Sequence, residues 1–430
     1  MTFQSRLMVA IPLDRKRVGD LKALLKTMNL APGQANPTNP LVPFGKLENL
    51  HFARFVILDD QTLDDVRLYR IPRQEYPLYL AFLCDFDGSR ADFLSDLVRY
   101  AGPGLRRLFS FCEGFTDGTD LLQWIQDHDL PVATSYVNWA GRTVKQVREE
   151  ASLRKVIGTY LRDNAHTLEG QPASLIWTQM RKFVEAETKN GRLTLTPPAL
   201  TPRDVKIGNA IHLVGVGALI ALLFPAVALL VLLRIRPLEK TDLEFAPRPN
   251  PEHAGQLAIL EDHEITNQFS AMGSLKPGLA RRWVLSYILW VINWTARHIY
   301  TKGRLARVRT IHFARWVFLD GKKRILFCSN YDGSLDSYMD DFINKVFFGL
   351  NVVFSNGMGY PTTRWLLADG AWGEQKFKYF LRRHELPTEV WYDAAPGMTA
   401  IEMERNSRIR DGLDAATLSE EAARQWVQLL

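Results

Sequence analysis

Apolar residues follow two kinds of pattern along this chain of 430 residues. Short runs rich in β-branched and aromatic residues, bounded by turn residues, predict strands. Longer stretches with apolar residues every three to four positions predict helices. Both halves of the chain have the same order of elements: strand, hairpin partner, helix, strand, helix, strand and closing helix. The pattern therefore predicts an α+β fold with two similar halves.

The predicted elements have the following positions. In the first half they are strands at 8–13, 52–58, 78–84, 105–112 and 133–137, and helices at 91–100, 121–128 and 144–161. In the second half they are strands at 313–319, 324–329, 350–355 and 389–392, and helices at 335–346, 375–384 and 400–413. Strands that alternate with helices around one hairpin are typical of ferredoxin-like α/β sandwiches. We therefore expect two such domains.

A repeated sequence supports two related domains. The sequence HFARFVILD at 51–59 returns as HFARWVFLD at 312–320, and the DGS at 87–89 returns at 332–334. Shorter matches continue in the same order towards the end of each half. A match this long and collinear predicts a duplicated domain. We also expect the two repeats to pair with each other within the molecule.

The longest apolar stretch lies between the repeats. Residues 207–233 contain no Asp, Glu, Lys or Arg, and about 20 apolar residues are enough for a helix to cross a bilayer core. We therefore predict a transmembrane or re-entrant segment at 207–236. A single crossing would place the repeats on opposite sides of the membrane. Pro225 could keep both repeats on the same side, because a proline inside the helix could bend the segment into a re-entrant hairpin.

A second apolar segment at 283–294 could also allow both repeats to lie on the same side of the membrane. It contains three tryptophans and one tyrosine, and arginines and a lysine flank it. Aromatic residues and cations beside a short apolar stretch are typical of a helix that lies in the membrane interface. Three alternatives stay open for this segment: it crosses the membrane, lies in the interface or packs on the second domain.

Charge and cysteine content indicate a location. A net charge of +6 and a pI near 9.1 suit an anionic membrane surface, and no nucleic-acid motif accompanies them. We therefore predict membrane lipid, and not nucleic acid, as a partner. The three cysteines form no CxxC pair, which favours a reducing compartment. The N-terminus has no signal-peptide pattern. We expect a protein of the bacterial inner membrane with both domains on the cytoplasmic face.

These patterns predict five parts. They are a first α+β repeat at 1–165, a helix and proline-rich linker at 166–206, the membrane segment at 207–236, a linker and Trp-rich interfacial helix at 237–303, and a second α+β repeat with a C-terminal helix at 304–430.

The repeated histidine and arginine are the first candidates for a functional site. Side chains alternate along a strand, so the two residues point to opposite faces unless the strand bulges. We predict that each arginine forms a bidentate pair with the aspartate that ends the neighbouring strand, Arg54 with Asp87 and Arg315 with Asp332. The second repeat has the denser set of polar residues and is the better candidate for activity.

The loop Gly114-Phe115-Thr116-Asp117-Gly118 resembles the Gly-x-x-Asp-Gly motif of dye-decolorizing peroxidases, which also contain paired ferredoxin-like units. The resemblance implies that Asp117 lies over a haem and helps to cleave peroxide. It also implies an arginine beside this aspartate and a histidine as the proximal iron ligand. The cofactor stays open, with haem as one possibility.

The whole chain, including NQFSAMG at 267–273 and SNYDGS at 329–334, resembles an uncharacterised bacterial family of tandem domains. Two functions stay open. The first is a membrane-anchored protein that acts at the membrane surface and binds an apolar or lipid-like ligand. The alternative is a haem-dependent, peroxidase-like oxidoreductase acting on apolar substrates.

The candidate site residues divide into two groups, and we predict no metal site. The catalytic candidates are His312, Asp332, Asn330 and Asp117. The cofactor-binding candidates are His51, Arg54 and Arg315.

Overall fold

The computed structural model describes residues 3–303 and 305–430. The first two residues of the predicted first domain, and residue 304 at the start of the predicted second repeat, lie outside these ranges. The strands are β1 Gln4–Pro12, β2 Asn29–Ala31, β3 Gln34–Ala35, β4 Leu50–Leu58, β5 Tyr79–Asp87, β6 Val132–Val137, β7 Thr266–Ser274, β8 Ile311–Leu319, β9 Arg324–Asp332, β10 Thr363–Arg364, β11 Ala368–Asp369 and β12 Thr388–Asp393.

The helices alternate with these strands, which gives a mixed α+β fold. They are α1 Val18–Lys26, α2 Arg90–Phe109, α3 Leu121–Asp127, α4 Val144–Asp163, α5 Ala165–Leu168, α6 Ala173–Lys189, α7 Arg203–Leu230, α8 Arg236–Glu239, α9 Pro251–Ala258, α10 Leu279–His298, α11 Leu335–Phe354, α12 Glu374–His384, α13 Ala400–Asp414 and α14 Glu420–Val427. Short 3-10 turns occur at Arg15–Arg17, Phe44–Lys46, Leu63–Tyr69 and Gly370–Trp372.

Two four-stranded antiparallel sheets form the centre of the molecule. One has the order β1-β5-β4-β12 and the other the order β6-β8-β9-β7. Three strands of each sheet come from one half of the chain and the fourth comes from the other half. β12 pairs with β4, and β6 pairs with β8. The two halves therefore exchange their last strands.

Short backbone contacts also join the two sheets at their other edges. The backbone N–H of Ala10 in β1 donates to the carbonyl of His128 at 3.1 Å, just before β6 begins. In the other half, the N–H of Leu386, just before β12, donates to the carbonyl of Ser270 in β7 at 2.7 Å. The segments that lead into β6 and β12 thus bridge the sheets and close the strands into a ring.

Apolar side chains fill the ring and cover its outside. Met8, Val56 and Leu83 of one sheet meet Met272 and Leu326 of the other in a shared buried cluster. Separate buried clusters lie on the outer face of each sheet, where α2 and α3 cover one sheet and α10, α11 and α12 cover the other. The ring interior is therefore a packed core.

Two predicted strands are wrong, because residues 105–112 and 350–355 fall largely within α2 and α11. α2 runs through the Gly-Pro-Gly at 102–104. A Cβ on Gly104 would lie 1.9 Å from the carbonyl oxygen of Leu41, so this glycine admits a neighbouring backbone. In α11, the backbone of Val346 is non-helical (φ −145°, ψ 27°), and the helix resumes beyond the predicted end.

The apolar stretch forms one long helix. α7 continues through a π-helical turn at Val231–Ile235 into α8, so the helix runs from Arg203 to Glu239. It is the one helix in the described ranges that is long and apolar enough to cross a membrane, and none of its most apolar stretch is buried. Pro225 lies inside α7 without ending it, so the predicted re-entrant hairpin is wrong.

Candidate functional site

A bulge in each long strand changes the direction of the repeated histidines. The register of β4 against β5 shifts between Leu50 and Phe52, and β8 has the same shift against β9. Leu50 and Ala53 consequently both face the outer core, while His51 and Phe52 line one small cavity. The extra residue in a bulge breaks strand alternation. The sequence predicts that the histidine and the arginine are separated unless the strand bulges, and both strands have such a bulge.

Each repeated histidine pairs with the repeated aspartate. His51 Nε2 lies 2.9 Å from Asp87 Oδ1, and His312 Nε2 lies 2.6 Å from Asp332 Oδ1. The second oxygen of each carboxylate accepts a backbone N–H at the first turn of a helix, from Val144 or from Ala400, both at 2.7 Å. The predicted pairing of these aspartates with Arg54 and Arg315 is therefore wrong.

The helix starts that these aspartates contact are themselves capped. Thr143 precedes α4 and Thr399 precedes α13, and each forms a capping box with the residue three positions later. A carboxylate at a helix N-terminus is also favoured by the helix dipole. Each aspartate thus ties a bulged strand, through the histidine, to the helix that follows the exchanged strand.

The charge state of the second pair is set by its surroundings. Burial by itself lowers the pKa of His312, but the charge and hydrogen bond of Asp332 raise the pKa above its ordinary value. Burial raises the pKa of the neighbouring Asp393 to about 6. One oxygen of Asp393 accepts the N–H of Ala395, and the other is buried without a partner among the described residues.

The repeated arginines join the two sheets across the ring. Arg54, in the first sheet, donates to the carbonyls of Phe269 and Ser329 and to the side chain of Asn330 in the second. Arg315 makes the reciprocal contacts, to the carbonyls of Leu7 and Cys84 and to the carboxylate of Asp85. Arg54 also donates to the hydroxyl of Ser270 at 3.0 Å. The two sets differ in charge, because Arg315 has an acidic partner where Arg54 has an amide.

These residues leave little room for a ligand. The cavity between the two arginines measures about 10 Å³, and the cavity beside His51 and His312 measures about 30 Å³. The side chains of Arg54, Arg315 and Asn330 are instead occupied by contacts between the two halves. That of Asp332 is occupied within the second half, by His312 and the start of α13. The contacts between the halves stabilise the pairing of the sheets.

Asp117 lies apart from this centre. It is on an exposed loop, where its backbone carbonyl accepts a bond from Arg106. A haem would need this aspartate and a histidine on opposite faces of one large pocket. Because His51 and His312 are buried beside a cavity of about 30 Å³, the candidate residues do not fit a haem.

A much larger cleft lies next to the apolar helix. It measures about 680 Å³ and opens between the start of β1, the end of β6, the first turns of α7 and the last turns of α10. Four cations line it: Arg6, Lys206, Arg297 and Lys302. Among its lining residues in the described part of the chain there is no aspartate or glutamate. We call it the basic cleft.

Two of the four cations are held by neutral groups. Arg6 donates to the hydroxyl of Ser135 at 2.8 Å, and Arg297 donates to the side-chain oxygen of Asn209 at 2.6 and 3.1 Å. The side chains of Lys206 and Lys302 are exposed, and their ammonium groups have no hydrogen-bond or ion-pair partner within residues 3–303 and 305–430. The basic cleft therefore has an excess of positive charge.

The sequence indicated part of this cleft. Lys206, Arg297 and Lys302 are the cations that flank the two apolar segments. Arg6 was missed, because it comes from a strand more than 190 residues earlier in the chain. The contact between that strand and the helix start depends on the exchange of β6, for which the sequence gives no local signal.

The Trp-rich segment packs between the apolar helix and the second sheet. Thr134 in β6 donates to the carbonyl of Leu289 in α10 at 2.6 Å. On the other side of α10, Tyr287 donates to the carbonyl of Ile220 at 2.8 Å, and Trp294 donates to that of Leu213 at 3.2 Å. α10 therefore attaches α7 to the sheets along most of its apolar length.

Comparison with known proteins gives no relative. No protein-family model matches the chain, and no curated protein and no solved structure resembles it significantly.

Proposed function

We propose that this protein acts at a membrane surface, with α7 lying along the lipid interface and the two α+β halves together on one face. The observation that carries the proposal is the pairing of β6 with β8. β6 precedes α7 in the chain and β8 follows it. A single crossing by α7 would put these hydrogen-bonded strands on opposite sides of the bilayer.

The packing of α10 supports the same orientation. A return crossing by α10 would bring the chain back, but one side of α10 binds β6 through Thr134 and Ser135. If α10 crossed the membrane, β6 and the sheet and solvent-facing helices around it would lie in the hydrocarbon core. Unpaired polar groups are costly there. An in-plane α7 allows both contacts of α10 to persist.

The exposed side of α7 has the composition that lipid contact needs. Ile211, Leu222 and Leu233 are 68%, 75% and 60% exposed, and their spacing of eleven residues places them on nearly one face of a helix. Trp283, on the neighbouring α10, is 72% exposed. Burial of such a continuous apolar surface in the interface is favourable, since each Å² removed from water contributes about 25 cal/mol.

Within this proposal, the two halves are a duplicated pair of ferredoxin-like α/β units. The repeat of HFAR and DGS at corresponding strands, and the reciprocal contacts of Arg54 and Arg315, support this interpretation. The membrane is the bacterial inner membrane and the halves lie on its cytoplasmic face. The three buried free cysteines are consistent with a reducing compartment.

A depth measurement tests the orientation. Single cysteines at Ile211, Leu222 and Leu233 carry a spin label, and each full-length variant is bound to phosphatidylcholine vesicles. The labelled positions span about 33 Å along the helix, close to the thickness of a bilayer core. We expect equal depths for the three labels near the interface, measured by the accessibility of the label to oxygen and to a polar relaxant.

A crossing helix gives a different result. Position 222 would be deepest, and positions 211 and 233 would lie near opposite surfaces. That profile, or failure of the unlabelled protein to bind vesicles, would contradict the proposal. The native cysteines are buried, and the parent chain treated with the label serves as the control for their reaction.

A further inference from the structure

We propose that the basic cleft binds the phosphate of an anionic lipid headgroup. The inference rests on the proposed function and deepens it, because it names the lipid class that the membrane-bound protein recognises. The cleft has the volume typical of a site for a small molecule. It is also much larger than the cavity at the repeated histidines.

The positive charge of the cleft favours a phosphate. A phosphate is a strong hydrogen-bond acceptor that arginine binds in a planar fork and lysine binds as a point charge. Arg6 and Arg297 are oriented by Ser135 and Asn209 without loss of their charge. The ammonium groups of Lys206 and Lys302 keep all their donors available within the described ranges. An anion would thus find donors on several sides and no competing carboxylate on the described walls.

The position of the cleft beside the apolar helix favours a lipid. Lys206 is the last charged residue before the apolar run, and Ile207 begins the exposed apolar face. A lipid whose phosphate lies against Lys206 therefore has its acyl chains beside α7. This is the level at which lipid headgroups meet the charged ends of an apolar helix. A soluble anion would gain nothing from this apolar neighbour.

The walls of the cleft are partly apolar and partly polar. Trp139 and Val205 contribute apolar surface, and Gln4 and Asn293 contribute polar groups. Gln4 is fixed by its bonds to the carbonyl of Arg142 at 2.6 Å and the N–H of Gly141 at 2.9 Å. A wall of this mixed character suits the glycerol region between a phosphate and its acyl chains.

The test measures partition of the full-length protein into two kinds of vesicle. One kind is pure phosphatidylcholine and the other contains a minority of phosphatidylglycerol. The variants are Lys206→Ala, Lys302→Ala and the charge-neutral Ala140→Phe, which fills the cleft. Lys182→Ala, on the exposed side of α6, is the matched control for loss of one positive charge.

We expect wild type to prefer the anionic vesicles. Each cleft lysine contributes about 1 kcal/mol near an anionic surface, so each alanine variant should lose about fivefold of that preference. Ala140→Phe should reduce the preference and leave binding to pure phosphatidylcholine unchanged. Lys182→Ala should retain it. Thermal unfolding of each variant establishes that the fold is intact.

Three results would overturn the inference while the proposed function stands. They are equal binding of wild type to both vesicles, equal effects of Lys182→Ala and Lys206→Ala, and an undiminished preference in Ala140→Phe. Thermal stabilisation by inorganic phosphate without vesicles, lost in both lysine variants, would also overturn it in favour of a soluble anion. Absence of binding to either vesicle would instead contradict the proposed function.

Discussion

At the residue scale, a repeated sequence does not produce repeated chemistry. Arg54 and Arg315 occupy corresponding positions and make corresponding contacts, but one faces Asn330 and the other Asp85. Burial lowers the pKa of Arg54 to about 10, so it is still charged at neutral pH without a carboxylate partner. The neutral oxygens that surround it must compensate for its loss of water.

This difference gives a paired prediction. Asp85→Asn leaves Arg315 as a buried cation without its acidic partner, so the free energy of unfolding should fall by about 3 kcal/mol. Asn330→Asp supplies Arg54 with the missing charge and should cost much less, or should stabilise. Urea unfolding of both variants at neutral pH measures the difference. Equal losses in the two variants would contradict this account of the arginines.

The His312–Asp332 pair predicts a dependence on pH. The pKa of His312 is raised in the folded protein, because the effect of Asp332 exceeds that of burial. The stabilising contribution of His312 is then fully present below its pKa in the unfolded chain, about 6.5. It is lost as the pH rises through the pKa of His312 in the folded protein.

His312→Gln should therefore reduce the free energy of unfolding most below about pH 6.5. The difference in this free energy between the variant and wild type should shrink at higher pH. Urea unfolding of both proteins across this range, in one detergent, gives the measurement. Asp393 also faces this histidine and is present in both proteins. A difference that stays constant or grows with pH would refute the assignment.

At the element scale, the sequence predicted most strands and helices but not where the strands belong. Alternation and turn residues are local signals, so β4, β5, β8 and β9 were found close to their observed bounds. The bulge beside His51 was not found, because it adds one residue without changing the apolar character of the strand. The C-terminal parts of α2 and α11 were misread as strands, since short apolar runs fit both kinds of element.

The candidate site was harder to predict than the fold. The repeated residues are conspicuous in the sequence, yet all of them serve structural contacts. The arginines bind the opposite half, and each histidine and aspartate bind each other within one half. The residues of the basic cleft come from four separated segments, and Arg6 reaches it through a long-range arrangement of strands. Proximity of this kind depends on tertiary packing, which local patterns do not encode.

At the scale of the whole molecule, the exchange of β6 and β12 makes the halves interdependent. A fragment ending at residue 165 would leave β4 without β12 and β6 without β8. Exposed strand edges of this kind favour aggregation. We expect this fragment to be insoluble or unfolded alone, and to fold and co-purify in detergent with residues 166–430 when these are produced in the same cell. Circular dichroism and gel filtration check both states, and a monomeric, folded fragment would contradict the prediction.

The order of synthesis adds a consequence of this exchange. α7 leaves the ribosome before β8, β9 and β12 exist, and β12 follows more than 150 residues later. At ordinary rates of translation this delay is on the order of ten seconds or more. The apolar helix thus meets lipid while both sheets are incomplete. We infer that attachment comes first, and that the protein completes its fold on the membrane.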